Sequence, residues 1–159
     1  MIQYQPIGII HSPFTEPKGT PIQPTAASGI PGSIELESRY AEGLKDLAGF
    51  SHLILIYHLH LISAAGALLV KPFLDDELHG IFATRAPGRP NPIGFSVVRL
   101  TKVAGSRLEI CDVDMIDGTP LLDIKPYVPA FDDRQPARIG WFGKNIHKLA
   151  DTKDDGRFV

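Results

Sequence analysis

The stretch Phe82–Leu100 reads FATRAPGRPNPIGFSVVRL, and its two ends have the composition of β-strands while its middle does not. Between Arg85 and Gly94 it holds three prolines and two glycines, which are excluded from helix interiors and central strands. Pro90 and Pro92 fix their own φ angles and favour extended backbone at the residues before them. The sequence therefore predicts a stiff loop between two strands, whose polar side chains are held in place before a ligand binds.

Those polar side chains are Arg85, Arg89 and Asn91, two planar cations and an amide that both donates and accepts hydrogen bonds. A structural turn with solvated arginines is the ordinary interpretation of a Pro/Gly loop. Two arginines that frame a rigid loop between apolar strands favour a binding loop instead.

The rest of the chain predicts many short strands and few helices. Apolar residues alternate with polar ones, or form short apolar runs, in segments 4–11, 33–37, 52–61, 68–73, 79–84, 94–103, 108–115 and 121–127. Short helices are predicted at 38–47 and around Ile146 and Leu149. We expect a bulge near Cys111 in the strand 108–115. The fold class predicted is mostly β, and a β-barrel with a few short helices is favoured over a sandwich.

Length and composition indicate one domain at residues 1–150, followed by a flexible tail at 151–159. The net charge of −2 excludes a global basic surface, so any nucleic-acid contact requires a local basic patch. Cys111 is the only cysteine, which excludes an internal disulfide and favours a cytoplasmic protein. No signal peptide and no apolar run long enough to span a membrane is present in the sequence.

His58 and His60 are predicted to lie on one face of the strand 52–61, since side chains alternate along a strand. Two histidines at this spacing can bind a metal, but no third ligand is evident nearby. We therefore predict no metal site and place these side chains at the rim of a pocket. The chain also has no G-x-G-x-x-G, G-x-S-x-G or H-E-x-x-H motif, and Gly140–Lys144 has the wrong spacing for a phosphate loop.

Five phrases of the sequence resemble the TsaA-like/TrmO family of β-barrel methyltransferases, in the order in which the family has them. They are IGIIHSPF (Ile7–Phe14), PIQP (Pro21–Pro24), GFSHLILIYHLH (Gly49–His60), the stretch Phe82–Leu100, and DGTPLLDIKPYVP (Asp117–Pro129). The resemblance implies a single-sheet barrel, a homodimer and S-adenosyl-L-methionine as the methyl donor. It also implies methylation of N6 of threonylcarbamoyladenosine at position 37, beside the anticodon of tRNA.

The resemblance assigns the donor pocket to residues at the matching positions. They are Ile22, Gln23, Pro24, His60, Leu61, Arg85, Leu100, Asp117, Gly118, Thr119 and Pro120. Bacterial members have Arg in place of Ile22 and Gln in place of Leu61, and they continue into a C-terminal region, so this chain resembles a short archaeal-type form. The missing region bears on the choice of tRNA more than on donor binding.

Residues for the acceptor side are predicted from their side-chain chemistry, given the reaction that the resemblance implies. The acceptor nitrogen is a urea-type N–H, so a modest base suffices, and Asp117, His60 and Asp123 are the candidates. The residues predicted on the substrate side are Arg89, Asn91, Lys125 and Tyr127. Either Arg85 or Arg89 is expected to contact the donor carboxylate, the modified base or a tRNA phosphate, and the sequence does not assign which. Two other functions stay open: a barrel that senses S-adenosylmethionine or methylates another substrate, and an interaction protein without catalysis.

Overall fold

The computed structural model describes residues 1–63 and 66–158. Ala64 and Ala65, in the stretch between the predicted strands 52–61 and 68–73, and Val159, the last residue of the predicted tail, lie outside the described residues. The described part contains eight strands: β1 Gly8–His11, β2 Pro31–Leu36, β3 His52–His58, β4 Leu69–Val70, β5 His79–Gly80, β6 Ile93–Ala104, β7 Arg107–Cys111 and β8 Thr119–Pro126.

Six of the strands form a closed barrel in the order β1-β2-β7-β6-β3-β8, and β8 pairs with β1 to complete it. All neighbouring strands are antiparallel, and β4 and β5 form a separate two-stranded sheet. Closure leaves no unpaired sheet edge in the barrel. The predicted mostly β, single-sheet barrel is therefore confirmed.

The barrel interior is filled by alternate side chains of its strands. On β3 these are Leu53, Leu55 and Tyr57, which pack with Val98 of β6 and Leu121 of β8. Full burial of a Leu, Ile or Val side chain stabilises the fold by roughly 1.5–3 kcal/mol. The apolar run of β3 fits its central position between β6 and β8.

The helical elements are all short. The two α-helices are α1 Pro129–Asp132 and α2 Phe142–Asn145. The 3-10 helices are Pro24–Ala27, Ser38–Leu44, Leu47–Gly49, Ile81–Ala83 and Ile146–Lys148. No helix in residues 1–63 or 66–158 is long and apolar enough to cross a bilayer.

Several predicted elements were wrong in their extent or type, and β1, β4 and β7 are shorter than the strands predicted at 4–11, 68–73 and 108–115. β3 ends at His58, so the alternation along a strand does not extend to His60. The predicted strand 79–84 is a strand only over β5, and a 3-10 helix at Ile81–Ala83 follows it, because Thr84 Oγ1 and Thr84 N both donate to the Ile81 carbonyl. The predicted helix 38–47 is a 3-10 helix over Ser38–Leu44.

The bulge predicted near Cys111 in the strand 108–115 lies instead on the neighbouring strand, β6. The pairing of β6 with β7 shifts between Leu100 and Lys102, whereas β7 itself ends at Cys111. The strand ends there because Asp112 adopts a left-handed conformation with a φ of 67°.

The C-terminal segment contacts the loop that follows β1. Gly19 N donates to Asp154 O at 2.6 Å, and Asp154 N donates to Thr20 O at 2.9 Å. Arg157 Nη1 donates to the Lys71 carbonyl, and the Phe158 ring packs edge-on against Phe73. The domain boundary at 150 and the flexibility of the tail stay predictions.

Candidate active site

A cavity of about 730 Å³ lies where β3 and β6 meet several loops and the C-terminal segment. Its wall combines apolar side chains with a few polar groups, which is the usual make-up of a small-molecule site, and its volume falls in the range of about 300–1,000 Å³ for such sites. The loops that contribute are those after β1, after β3, between β4 and β5, before β6 and before β8. The cavity is therefore the candidate active site.

Arg85 joins two of these loops. Its Nη1 donates to Oε1 of Gln23 at 2.9 Å, although the two residues are 62 positions apart in the chain. The Arg85 guanidinium also lies over the ring of Phe95, 5.7 Å from the ring centroid. Both residues of this pair line the cavity, so a cation and an amide are presented together.

The rigid loop before β6 is braced by its own hydrogen bonds. Thr84 is buried, and its Oγ1 accepts from Ala86 N at 3.2 Å. Arg89 Nη1 donates to the carbonyls of Thr84 at 3.0 Å and Ala86 at 3.1 Å. Arg89 thus holds the loop in shape while its side chain lines the cavity.

A chain of hydrogen bonds runs from the barrel core into the cavity. Ser96 Oγ donates to Oδ1 of Asp114 at 2.8 Å, and Tyr57 Oη lies 2.8 Å from Ser96 Oγ. Because the Ser96 hydrogen points at the carboxylate, the Tyr57 hydroxyl is the donor of the second bond. Tyr57 and Ser96 are 7% and 1% exposed, and all three side chains line the cavity.

Burial shifts the pKa values of Asp114 and Tyr57, the two titratable members of this hydrogen-bond chain. It raises the pKa of Asp114 to about 7, against the effects of the Ser96 hydrogen bond and the positive charge of Arg85. It also raises the pKa of Tyr57, with a further increase from the negative charge of Asp114, so Tyr57 stays protonated. Asp114 is therefore a carboxyl group that gains or loses a proton near neutral pH.

Gly94 leaves the space that the hydrogen-bonded Tyr57 side chain occupies. It pairs with Tyr57 across β3 and β6, and a Cβ at Gly94 would overlap the Tyr57 ring. Ser96 lies two residues further along β6, on the same face as Gly94. The Gly-x-Ser pattern of β6 therefore places Tyr57 against Ser96.

Of the residues predicted for the donor pocket, a subset lines the cavity. They are Ile22, Gln23, Pro24, His60, Leu61, Arg85 and Thr119. Burial, followed by the nearby His58, lowers the pKa of His60, which favours the neutral imidazole. Of the residues predicted for the acceptor side, Arg89 and the base candidate His60 line the same cavity.

The other predicted site residues lie outside the cavity wall. They are Leu100, Asp117, Gly118, Pro120, Asp123, Asn91, Lys125 and Tyr127. Asp117 Oδ1 accepts from Ser12 N at 3.1 Å and lies 3.1 Å from His11 Nδ1, and these contacts hold its pKa below the ordinary value. Asp123 forms an ion pair with Lys125 at 2.8 Å. The roles predicted for these residues stay predictions.

Two features of the site were missed by the sequence analysis. Asp114 lies between buried Val113 and Met115, and a lone carboxylate between two core residues is the signal that could have identified it. Trp141 also lines the cavity. It lies in Gly140–Lys144, the segment whose spacing does not match a phosphate loop. Its Nε1 donates to Ala83 O at 2.8 Å and its ring stacks on His79 with centroids 4.5 Å apart.

No group of three or more His, Cys, Asp or Glu side chains that could hold a metal ion occurs within residues 1–63 and 66–158. His58 is exposed, and His60 is partly buried at the cavity wall.

Residues 9–133 match the model of a protein family described as the tRNA-methyltransferase O N-terminal domain. The chain belongs to this family. The family assignment confirms the resemblance predicted from the five sequence phrases. The match ends before Trp141 and α2, so part of the cavity wall lies beyond the matched residues.

Relatives whose names state a function support the assignment. A probable S-adenosyl-L-methionine-binding protein of Pyrococcus abyssi is 62% identical over 99% of this chain and 85% of its own length. The tRNA (adenine(37)-N6)-methyltransferase of Escherichia coli is 37% identical over 80% of this chain and 58% of its own length. The crystal structure of TrmO from Pseudomonas aeruginosa has a TM-score of 0.75 and 40% identity, covering 89% of this chain and 62% of that one.

Proposed function

We propose that this member of the tRNA-methyltransferase O family uses S-adenosyl-L-methionine to methylate N6 of threonylcarbamoyladenosine at position 37 of tRNA. The observation that carries the proposal is the cavity at one side of the family's barrel, with the Arg85–Gln23 pair and the Asp114 carboxyl group in its wall. The human, mouse and Escherichia coli relatives are named as tRNA (adenine(37)-N6)-methyltransferases, which supports the reaction class and the position.

The residues of the cavity suit the methyl donor. Arg85 is a planar cation that can bind the donor carboxylate through two hydrogen bonds, and Gln23 keeps the guanidinium aimed into the cavity. The apolar side chains of Ile22, Leu61 and Phe95 line the same space and exclude water. When bound, S-adenosylmethionine supplies an electrophilic methyl group on a sulfonium.

Alignment is the main task that remains for the protein. Methyl transfer is an in-line displacement, so the chain has to hold the acceptor nitrogen on the far side of the methyl group from the sulfur. The braced loop with Arg85 and Arg89 is rigid before binding, which reduces the entropy lost on forming that geometry.

The partner in this proposal is the anticodon loop of tRNA. The target base has to leave the stack of the loop to enter a cavity, as it does for other enzymes that modify bases. With Arg85 placed against the donor carboxylate, Arg89 is the arginine of the described cavity wall that would contact the base or its phosphate. We include in the proposal the homodimer and the cytoplasmic location that the sequence analysis predicts.

A second function, donor binding without tRNA methylation, is favoured by one observation. Two relatives that this chain matches over most of their length, 85% in Pyrococcus abyssi and 91% in Archaeoglobus fulgidus, have names that state S-adenosyl-L-methionine binding alone. A protein of this kind would sense the donor or methylate another acceptor.

Calorimetry and nucleoside mass spectrometry together test the two functions. The purified chain is titrated with S-adenosylmethionine, then incubated with trideuteromethyl-labelled donor and tRNA that carries threonylcarbamoyladenosine. The proposal predicts a labelled methyl group on that nucleoside and none on the same tRNA prepared without the threonylcarbamoyl group.

The outcomes separate the alternatives. Donor binding without label in any tRNA would support the second function and contradict the tRNA proposal. Failure to bind the donor would contradict both, and would favour an interaction protein without catalysis.

A further inference from the structure

Asp114 occupies a position that the donor-binding role does not explain. Asp114 and Asp154 are the carboxylates among the described residues of the cavity wall. Asp154 is tied to the loop after β1 by its backbone, and its Oδ1 accepts from Gly156 N at 2.7 Å. Asp114 instead stands at the end of the Tyr57–Ser96 hydrogen-bond chain.

The hydrogen-bond chain orients the Asp114 carboxyl group. Ser96 Oγ donates to Oδ1, and in the described part of the protein this is the side-chain hydrogen bond that Asp114 accepts. The other oxygen of the carboxyl group therefore stays open to a donor that enters the cavity. Tyr57 and Ser96 both come from the rigid barrel strands β3 and β6, so this geometry exists before any ligand binds.

We propose that Asp114 accepts the N6 proton of the acceptor base during methyl transfer, an assignment that rests on the proposed function. The nitrogen lone pair forms the N–CH3 bond while the C–S bond of the sulfonium breaks and its electron pair stays on sulfur. The N–H bond then breaks, and the proton moves to the open oxygen of Asp114. The products are the N6-methylated base, S-adenosylhomocysteine and a protonated carboxyl group, so atoms and charges balance.

The environment of Asp114 suits this role. A carboxylate with a pKa of about 7 is a stronger base than an ordinary aspartate, and about half of it is ionised at pH 7. The charged and titratable groups that act on it are Arg85, in the loop before β6, and Tyr57 on β3. Arg85 favours the ionised carboxylate, and Tyr57 stays a neutral hydrogen-bond donor through Ser96.

The bases predicted from the sequence are less well placed than Asp114. Asp117 and Asp123 lie outside the cavity wall, where Asp117 is held by Ser12 and His11, and Asp123 pairs with Lys125. The contacts of Asp117 lower its pKa, which makes it a weaker base. His60 lines the cavity, but burial, and then the charge of His58, lower its pKa too.

Asp114→Asn tests the assignment, because the amide oxygen still accepts the Ser96 hydrogen bond while the group can no longer take a proton. We expect donor binding by calorimetry to stay within about threefold of the wild type, and single-turnover methylation of threonylcarbamoyl-tRNA to fall by about 100-fold or more. The wild-type rate should rise with pH up to about 7 and then level off. The residual rate of the variant should lack that rise.

Asp112→Asn is the matched control. It makes the same chemical change two residues earlier, at a side chain that pairs with Arg99 outside the cavity, and asparagine tolerates the left-handed backbone at this position. This variant should methylate tRNA at the wild-type rate.

Two results would overturn the assignment. One is an Asp114→Asn enzyme with a rate within about threefold of the wild type; the other is a loss of donor binding as large as the loss of rate, which would make Asp114 a counter-ion of the sulfonium. If the variant fails to fold, the wild-type pH profile decides, and a flat profile between about pH 5 and about pH 8 contradicts the assignment. A wild-type protein that methylates no tRNA would instead refute the proposed function.

Discussion

Gln23 Oε1 accepts a 2.9 Å hydrogen bond from Arg85 Nη1, and this contact connects the proline-rich loop after β1 with the proline-rich loop before β6. Neither loop forms part of the barrel sheet, so the hydrogen bond is a direct link between the two walls of the cavity. Arg85 is therefore part of the cavity structure, and in the proposed function it is also a ligand group.

Replacing Arg85 should weaken donor binding without unfolding the protein. Arg85→Ala removes the cation and the bond to Gln23, and we expect donor affinity to fall by about 10- to 100-fold, since a charge-assisted pair contributes about 1.5–3 kcal/mol. Thermal unfolding should change little because the side chain is not part of the core. Arg99→Ala is the control, since it removes an arginine on the outside of the barrel. Undiminished donor binding by calorimetry would show that the loop is only structural.

Fluorescence of Trp141 should report on the cavity. It is the only tryptophan of the chain, it lines the cavity, and it stacks on His79. We expect titration with S-adenosylmethionine to change its emission in a saturable way, with the same midpoint that calorimetry gives. Trp141→Phe keeps an aromatic ring and should remove the signal. A wild-type emission that stays constant while calorimetry shows binding would place the donor elsewhere.

Gly94→Ala should destabilise the protein through the Tyr57 ring. The added methyl group overlaps that ring in the core, and such overpacking costs about 1–3 kcal/mol. Gly43→Ala is the control, since a Cβ there meets no atom within 4 Å. Urea unfolding measures both variants. Equal free energies of unfolding for Gly94→Ala and the wild type would mean that Tyr57 has another position available.

The free energy of unfolding should depend on pH through Asp114. Its pKa in the folded protein is about 7, above the ordinary value of 3.8, so the folded state binds this proton more tightly than the unfolded state. The stability that the proton contributes is complete below about pH 3.8 and is lost as the pH rises to about 7. Each unit of pKa difference corresponds to about 1.4 kcal/mol.

Asp114→Asn should remove this dependence. Between about pH 5 and about pH 8 the variant should become progressively more stable relative to the wild type, as measured by urea unfolding at each pH. Asp117 and Asp112, whose pKa values are lowered, act in the opposite direction at lower pH and cancel in the comparison. A difference between the two proteins that is independent of pH would contradict a raised pKa for Asp114.

Much of the barrel was predictable because its strands carry local patterns. The apolar run of β3 and the proline loop between the strands at 79–84 and 94–103 predicted a β-rich fold, and the barrel of the family is confirmed. Errors arose where a local contact overrode the pattern. Part of a predicted strand is a 3-10 helix at Ile81–Ala83, where Thr84 donates back to the Ile81 carbonyl, and β3 ends two residues before His60.

The sequence by itself determined the family, the barrel and the arginine loop, since these depend on residue types and spacings along the chain. Only the tertiary structure decided which carboxylate faces the cavity. Asp114, Asp117 and Asp123 are all aspartates within one short part of the sequence, which does not distinguish their environments. Barrel closure places Asp114 beside Ser96 and Tyr57, and leaves the other two outside the cavity wall. The physical reason is that burial and hydrogen-bond partners come from strands distant in the chain, and these partners set the pKa and the reach of each carboxyl group.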